Sequence, residues 1–162
     1  MRKVLLVLSM VALTFSMNAQ LNYNSWKSSP VIDDFGDPTG AFVKTLFGKG
    51  TFSNSATSNS ELIVRFTNWG DALTVDIFEY GRTPSASITY TSEYGTIRIK
   101  KEDGSIVKIK AFAPKSGGLY FSKDSYEAIM EVLSVSGVLK FQFRESDFGA
   151  SGQSSYSFKL NN

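Results

Sequence analysis

The chain has 162 residues, of which 42% are hydrophobic and 20% are charged, and it contains neither cysteine nor histidine. Without cysteine it has no disulfide, no thiolate zinc site and no thiol nucleophile. Without histidine it lacks the usual serine triad and imidazole metal ligands. The sequence therefore predicts no cofactor, and any acid–base chemistry must come from carboxylates, tyrosine or lysine.

Residues 1–19 have the layout of an export signal. Met1–Lys3 supplies a positive start, Val4–Phe15 is almost unbroken apolar sequence, and Ser16–Gln20 is small and polar. This order is typical of a secretory signal peptide, and we expect cleavage after Ala19. The apolar stretch is too short for a transmembrane span, and the absence of a following cysteine predicts no lipid anchor. We expect the protein to be periplasmic or extracellular.

The remaining residues, 20–162, are expected to form a single β-rich domain. The whole chain has 17 basic and 15 acidic residues, so removing Arg2 and Lys3 with the leader leaves a formally neutral domain. A neutral domain does not neutralise a row of phosphates, and nucleic-acid binding is therefore not expected. A chain of this length can bury one core without disulfides.

A first hairpin is indicated in the middle of the chain. Apolar and polar residues alternate along Leu62–Asn68 and along Asp71–Ile77, which is the pattern of half-buried antiparallel strands. Folding about Trp69–Gly70 gives one apolar face and one polar face, on which Arg65 lies diagonal to Asp76, close enough for an ion pair. The predicted apolar pairs are Phe66 with Leu73, Val64 with Val75, and Leu62 with Ile77.

A second hairpin is indicated over Ile97–Ile109. A two-residue Asp-Gly loop would place Ile99 opposite Lys108, and a half-buried sheet resists apolar and charged residues on one face. A three-residue loop, Glu102–Gly104, instead matches apolar residues and puts its glycine at the left-handed position of a bulged type I turn. This register pairs Ile99 with Val107 and Ile97 with Ile109.

One helix and several further strands complete the predicted elements. The helix is expected over Ser125–Leu133, within about residues 123–134, with Asp124 and Glu127 spaced as a capping box. Its apolar stripe is interpreted as core packing; the stripe consists of Tyr126, Ile129, Met130 and Leu133. The strands are expected near Val43–Phe52, Ser87–Thr91, Leu119–Phe121, Val138–Arg144 and Tyr156–Leu160. These elements favour a mainly β fold, an antiparallel β-sandwich or open barrel with one helix in the C-terminal half.

Three closely spaced acidic residues, Asp33, Asp34 and Asp37, precede a Pro-Thr-Gly turn. Their oxygens are weak candidates for binding Ca²⁺, which takes six to eight oxygen ligands, but the EF-hand spacing is absent. Aspartate is also a favoured turn residue, and we favour this interpretation. A glycosidase carboxylate is the remaining alternative, and it would need a second carboxylate at a set separation.

Aromatic residues are numerous, with thirteen Phe, seven Tyr and two Trp. Trp69 falls at the tip of the first predicted hairpin, and Tyr90 and Tyr94 flank another turn. Aromatic rings beside polar groups are suited to sugar or peptide recognition. These three residues are therefore candidate ligand- or partner-binding residues, although each could instead pack over the edge of the sheet. Trp26 is interpreted as structural.

Six segments follow one another in order along most of the chain: Trp26, Ser29–Asp34, Leu62–Phe66, Ile88–Tyr90, Ser122–Met130 and Ser157–Leu160. In these segments the chain resembles small periplasmic proteins associated with type VI secretion in Gram-negative bacteria. The likeness implies a periplasmic β-sandwich without known catalysis, and it transfers no catalytic residue. Phe66 stands where that family tends to have a cysteine. The signal ending Asn18–Gln20 also resembles exported proteins of the Bacteroidota.

Three functions remain open from the sequence. The favoured one is an exported, non-enzymatic protein that binds an envelope protein or glycan. The second is a small hydrolase or lyase that acts on polysaccharide with carboxylates, tyrosine or lysine. The third is an envelope inhibitor or immunity-type protein.

Overall fold

The computed structural model describes residues 23–82, 84–89 and 91–161, and within these ranges the chain is mainly β. Within the described residues, nine strands form one antiparallel sheet and a single α-helix lies in the C-terminal half, which confirms the predicted fold class. The predicted signal peptide lies outside the described residues. The elements are β1 (Lys27–Ile32), β2 (Pro38–Ser53), β3 (Ser60–Asn68), β4 (Ala72–Glu79), β5 (Glu93–Lys100), β6 (Ile106–Ala113), β7 (Leu119–Ser122), α1 (Asp124–Ser134), β8 (Val138–Arg144), a 3₁₀ turn (Glu145–Phe148) and β9 (Ser155–Asn161).

The sheet returns on itself through its longest strand. The strand order is β1-β2-β3-β4-β7-β6-β5-β8-β9, and β2 also pairs with β9. Because β2 is 16 residues long, its first part pairs with β1 and its last part with β9. Two of the strand pairings in the sheet are short: β6 and β7 share one residue pair, and β5 and β8 share three. Short pairings of this kind agree with the predicted sandwich or open barrel, in which the sheet is not continuously hydrogen-bonded.

A glycine in β2 allows β9 to lie close against it. Gly50 is opposite Phe158, and a Cβ atom at Gly50 would stand 2.5 Å from the Phe158 Cα. Only a residue without a side chain fits such an approach. The Phe158 ring then stacks on Phe141 with the ring centroids 4.7 Å apart. The largest fully buried side chains of the core are Tyr156, Phe52, Phe66, Phe121, Phe141, Phe143, Phe148 and Phe158.

The predicted register of the first hairpin is wrong by two residues. Its last pair is Asn68 with Leu73, and the loop between them has four residues, closed by a 2.9 Å hydrogen bond from Trp69 N to Ala72 O. A two-residue hairpin turn requires positive φ at its first central position, which disfavours Trp there. In the longer loop the positive φ falls on Gly70. The observed apolar pairs are Phe66 with Val75 and Val64 with Ile77, whereas Leu62 lies opposite Glu79.

A slip of two residues keeps each side chain on its predicted face, because strand side chains alternate with a period of two. Arg65 is therefore on the polar face as expected, and its ion pair with Asp76 is confirmed. The two residues lie directly opposite each other rather than on a diagonal.

The predicted second hairpin is confirmed in its register and in its loop. Ile99 lies opposite Val107, and Ile97 opposite Ile109. Gly104 has a φ of +87°, the left-handed conformation expected for the bulged loop.

The predicted helix is confirmed, but its capping box is wrong. The N-cap position is Lys123, with a φ of 47° and no side-chain cap hydrogen bond. Asp124 lies in the first helical turn, where an acidic side chain still interacts favourably with the helix dipole. The stripe is core packing as interpreted, since Ile129 and Leu133 are buried, and Tyr126 and Met130 are partly buried against the core.

Two strand assignments also differ. No strand forms in the described part of Ser87–Thr91, where Ser87 and Thr89 bond locally to backbone groups. Such local bonds compete with ladder hydrogen bonds. Conversely, β1 forms over Lys27–Ile32, where no strand is predicted. Pro30 is accommodated there because β1 is an edge strand.

Candidate functional site

A groove of about 480 Å³ lies over strands β3, β4, β7 and β6. Its lining combines aromatic rings with polar and charged side chains. We call it the aromatic groove, and its principal lining residues are Arg65, Trp69, Asp76, Phe112, Pro114 and Tyr120.

An ion pair forms the charged part of the aromatic groove. Arg65 Nε and Nη2 donate to the same oxygen of Asp76, Oδ2, at 2.9 and 2.7 Å. Both residues are partly buried, and the Arg65 guanidinium lies 5.4 Å from the centroid of the Phe78 ring. A guanidinium and carboxylate fixed in this way offer both donors and acceptors to a polar ligand.

Trp69 stands at one end of the aromatic groove, in the tip of the β3–β4 hairpin. Its side chain is 54% exposed, and its indole Nε1 donates a 3.2 Å hydrogen bond to Thr74 Oγ1. The neighbouring loop is held by Asn68, whose Oδ1 accepts a hydrogen bond from Gly70 N. The indole is therefore anchored at one edge and still accessible to solvent.

A second group of aromatic residues crosses the sheet beside the ion pair. Thr74 on β4 pairs with Tyr120 on β7, Tyr120 with Phe112 on β6, and Phe112 with Tyr94 on β5. Residues directly opposite in antiparallel strands share one face of the sheet. Tyr94 is 63% exposed, and its ring centroid lies 5.0 Å from that of Phe112. The Lys110 ammonium lies 5.2 Å from the Tyr94 centroid.

The predicted aromatic candidates thus have different outcomes. Trp69 lines the aromatic groove, and Tyr94 lies beyond it against Phe112. Tyr90 lies outside the described residues. Trp26 is partly buried and packs against the core, in line with the structural interpretation.

The acidic cluster forms the turn between β1 and β2. Asp33 Oδ1 accepts hydrogen bonds of 2.9 Å from the backbone N–H groups of Phe35 and Asp37. Asp33 N also donates to Asp37 O. This is the local turn chemistry favoured from the sequence. The residues that the structure describes contain no group of three acidic side chains placed to hold a metal ion.

Tyr120 and Phe112 line the aromatic groove, although neither is a candidate site residue predicted from the sequence. Tyr120 lies in the predicted strand Leu119–Phe121, between two buried residues, so alternation alone would have assigned it to the outer face. What alternation could not supply is the position of β7 between β4 and β6. That placement brings Tyr120 beside Trp69 in the lining of the groove.

A second titratable pair lies inside the fold, apart from the aromatic groove. The Tyr156 hydroxyl donates a 2.9 Å hydrogen bond to Glu79 Oε1, and Tyr156 is 1% exposed. Burial raises the pKa of Tyr156 strongly, and the charge of Glu79 raises it further. Tyr156 is therefore neutral and acts as a hydrogen-bond donor, which is a structural role.

Comparison with protein-family models, curated proteins and solved structures gives no match for this chain. Asp76 is the one carboxylate among the described residues that line the aromatic groove, and it is paired with Arg65. Hydrolysis of a glycosidic bond ordinarily uses two carboxylates that flank the bond. The aromatic groove can offer a ligand the faces of aromatic rings together with hydrogen-bond donors and acceptors.

Proposed function

We propose that this protein is an exported, non-enzymatic binding module of the cell envelope, and that it binds a glycan in the aromatic groove. The observation that carries the proposal is the position of Trp69 and Tyr120 beside the Arg65–Asp76 ion pair in one groove. Aromatic rings bury the apolar faces of sugar rings, while a guanidinium and a carboxylate hydrogen-bond to hydroxyl groups.

The size of the aromatic groove also supports binding of a small ligand or of a short segment of a longer polymer. Its volume of about 480 Å³ lies within the range of roughly 300–1,000 Å³ that is usual for small-molecule sites. Tyr120 is 37% exposed and Trp69 more so, which leaves both rings accessible to a ligand. We choose the glycan over the protein partner because the groove alternates rings with polar groups rather than presenting a continuous apolar patch.

Export is part of the proposal and depends on the N-terminal sequence. If residues 1–19 are a signal peptide, the secreted form begins at or within a residue or two of Gln20, and intact-mass measurement tests this. Within the described residues, no helix is long and apolar enough to cross a membrane. The resemblance to type VI secretion-associated proteins agrees with a periplasmic site of action and stays a prediction.

A glycan array tests the proposal against both alternatives. We expect wild-type protein to bind a defined set of glycans, and Trp69→Ala and Tyr120→Ala to lose that binding. Phe35→Ala is the matched control, because Phe35 is highly exposed but lies in the β1–β2 turn away from the groove lining. Glycan turnover abolished by a carboxylate substitution would instead support the hydrolase. Capture of one envelope protein without glycan binding would support the inhibitor or immunity-type protein.

A further inference from the structure

Four lysines lie side by side on strands β2, β9, β8 and β5, which do not contribute to the lining of the aromatic groove. Lys49 on β2 pairs directly with Lys159 on β9, Lys159 with Lys140 on β8, and Lys140 with Lys100 on β5. We call these residues the lysine row. Because adjacent strands are about 4.8 Å apart, the row spans about 14 Å across four strands.

Repulsion within the lysine row lowers the stability of the folded protein when no ligand is bound. All four side chains are exposed, and like charges directly opposite in a sheet are destabilising. Among the described residues, none of the four forms an ion pair with a carboxylate. The one cation–aromatic contact of the row is that of Lys49, whose Nζ lies 4.2 Å from the centroid of the Tyr23 ring.

The surrounding surface strengthens the positive charge instead of neutralising it. On the same outward face, β5, β6 and β8 carry Arg98, Lys108, Lys110 and Arg144, and Arg98 pairs with Asp147 at 3.3 Å. Residues 20–162 are formally neutral overall, so these strands hold a disproportionate share of the cations. Such a surface concentrates anionic ligands near itself.

Two depressions follow the lysine row, each with two of its lysines and with uncharged polar groups. One, of about 270 Å³, is lined by Lys100 and Lys140; its remaining lining residues are Arg98, Ile106, Phe141, Gln142 and Ser157. The other, of about 340 Å³, contains Lys49 and Lys159; its remaining lining residues are Tyr23, Asn24 and Asn161. Each depression thus offers cations for an acidic group and amides or hydroxyls for neighbouring hydroxyl groups.

We propose that the lysine row binds a linear acidic polysaccharide whose carboxylates lie over successive lysines. The amide and hydroxyl groups in both depressions favour a polyhydroxylated polymer over a lipid surface. A lipid surface would call for several apolar side chains that insert among the acyl chains, whereas Ile106 is the one exposed large apolar residue among the described residues that line the two depressions. A single-stranded nucleic acid would be held by stacking of its bases on aromatic rings. Of the two rings that line the depressions, Phe141 is buried and Tyr23 is in contact with Lys49.

This site is separate from the proposed glycan site. The aromatic groove lies over β3, β4, β7 and β6, whereas the lysine row crosses β2, β9, β8 and β5. The two proposals can therefore fail independently. Trp69→Ala should leave binding at the lysine row unchanged, and substitution of the lysines should leave binding of a neutral glycan in the groove unchanged.

The test measures binding of polygalacturonate oligomers to the purified chain by calorimetry, at about 20 mM and about 150 mM salt. The double variant Lys140→Gln, Lys159→Gln removes the two central charges. The matched control is Lys27→Gln, Lys44→Gln, which removes two exposed charges from β1 and β2 outside the row. Parallel titrations use an oligothymidylate and vesicles that contain phosphatidylglycerol.

We expect the wild type to bind polygalacturonate more tightly than either other polyanion, and more weakly at the higher salt concentration. The central double variant should lose about tenfold or more in affinity, and the control about twofold or less. The thermal midpoint of the central variant should be unchanged or higher, because an opposed pair of like charges is removed. Absence of polygalacturonate binding, equal losses in the two double variants, or tighter binding to oligothymidylate or vesicles would overturn the proposal.

Discussion

Asp76 Oδ2 accepts two hydrogen bonds from the Arg65 guanidinium, the shorter of 2.7 Å, directly across strands β3 and β4. This contact fixes two long side chains within the aromatic groove. A ligand therefore meets donors and acceptors that are already oriented, and less side-chain entropy is lost on binding.

The first prediction concerns the strength of this ion pair. Because both groups are partly exposed, a double-mutant cycle with Arg65→Ala and Asp76→Ala should give a coupling energy of about 0.5–1 kcal/mol. The measurement is urea unfolding of the four proteins, and the coupling should decrease in high salt. A coupling near zero at low salt would contradict the fixed geometry.

The second prediction concerns the bulged loop between β5 and β6. A Cβ atom on Gly104 would meet no atom within 4 Å, so the cost of substitution comes from its φ of +87° alone. Gly104→Val should destabilise by about 1 kcal/mol or more, and Gly104→Asn by less, because asparagine tolerates the left-handed region. Denaturant unfolding of both variants measures the difference. Equal losses would show that the backbone conformation is not the cause.

The third prediction concerns the helix. Ile129 and Leu133 are buried in the core, so Ile129→Ala and Leu133→Ala should each lower the free energy of unfolding by about 2–5 kcal/mol. Glu131→Ala on the exposed side is the control and should change it by less than about 0.5 kcal/mol. If Ile129→Ala and Leu133→Ala also lowered the free energy of unfolding by less than about 0.5 kcal/mol, this face of the helix would contact solvent or a partner.

The fourth prediction concerns alkaline pH. The pKa of Tyr156 is raised above its ordinary value of 10.0, first by burial and then by the charge of Glu79. Above pH 10 the unfolded chain loses this proton while the folded chain keeps it, so stability falls as the pH rises. Below pH 10 the contribution is fully present.

Tyr156→Phe provides the measurement for this pH dependence. Between about pH 10 and about pH 11.5, the free energy of unfolding of the wild type should fall more steeply than that of the variant, by about 1.4 kcal/mol per pH unit. Ionisation of the lysines affects both proteins alike and cancels in the comparison. Parallel curves would show that the Tyr156 hydroxyl ionises in the folded state as it does in the unfolded state.

Elements governed by local chemistry could be predicted from the sequence. The β5–β6 register follows from matching Ile99 to an apolar partner, and the helix from its 3.6-residue period. The β3–β4 register could not be predicted from hydrophobicity, because a slip of two residues leaves every side chain on the same face. The choice of a four-residue loop depends instead on the backbone conformation at Trp69 and Gly70.

Features that depend on the order of the strands in the sheet could not be predicted from the sequence. The sequence predicts Trp69 at the tip of a hairpin, but the aromatic residues that line the groove with it, Phe112 and Tyr120, come from β6 and β7, more than forty residues further along the chain. The lysine row likewise needs β9 to lie between β2 and β8. Each lysine alone reads as an ordinary solvated charge, and only the cross-strand pairing brings the four together.

Glycan binding in the aromatic groove is tested most directly by calorimetric titration of the strongest neutral oligosaccharide found on the array. Wild-type protein, Trp69→Ala and the control Phe35→Ala are compared under identical conditions. We predict that the dissociation constant of Trp69→Ala rises by about tenfold or more, while that of Phe35→Ala stays within about twofold of wild type. Unchanged affinity in Trp69→Ala, or equal losses in both variants, would contradict the assignment of the groove as the glycan site.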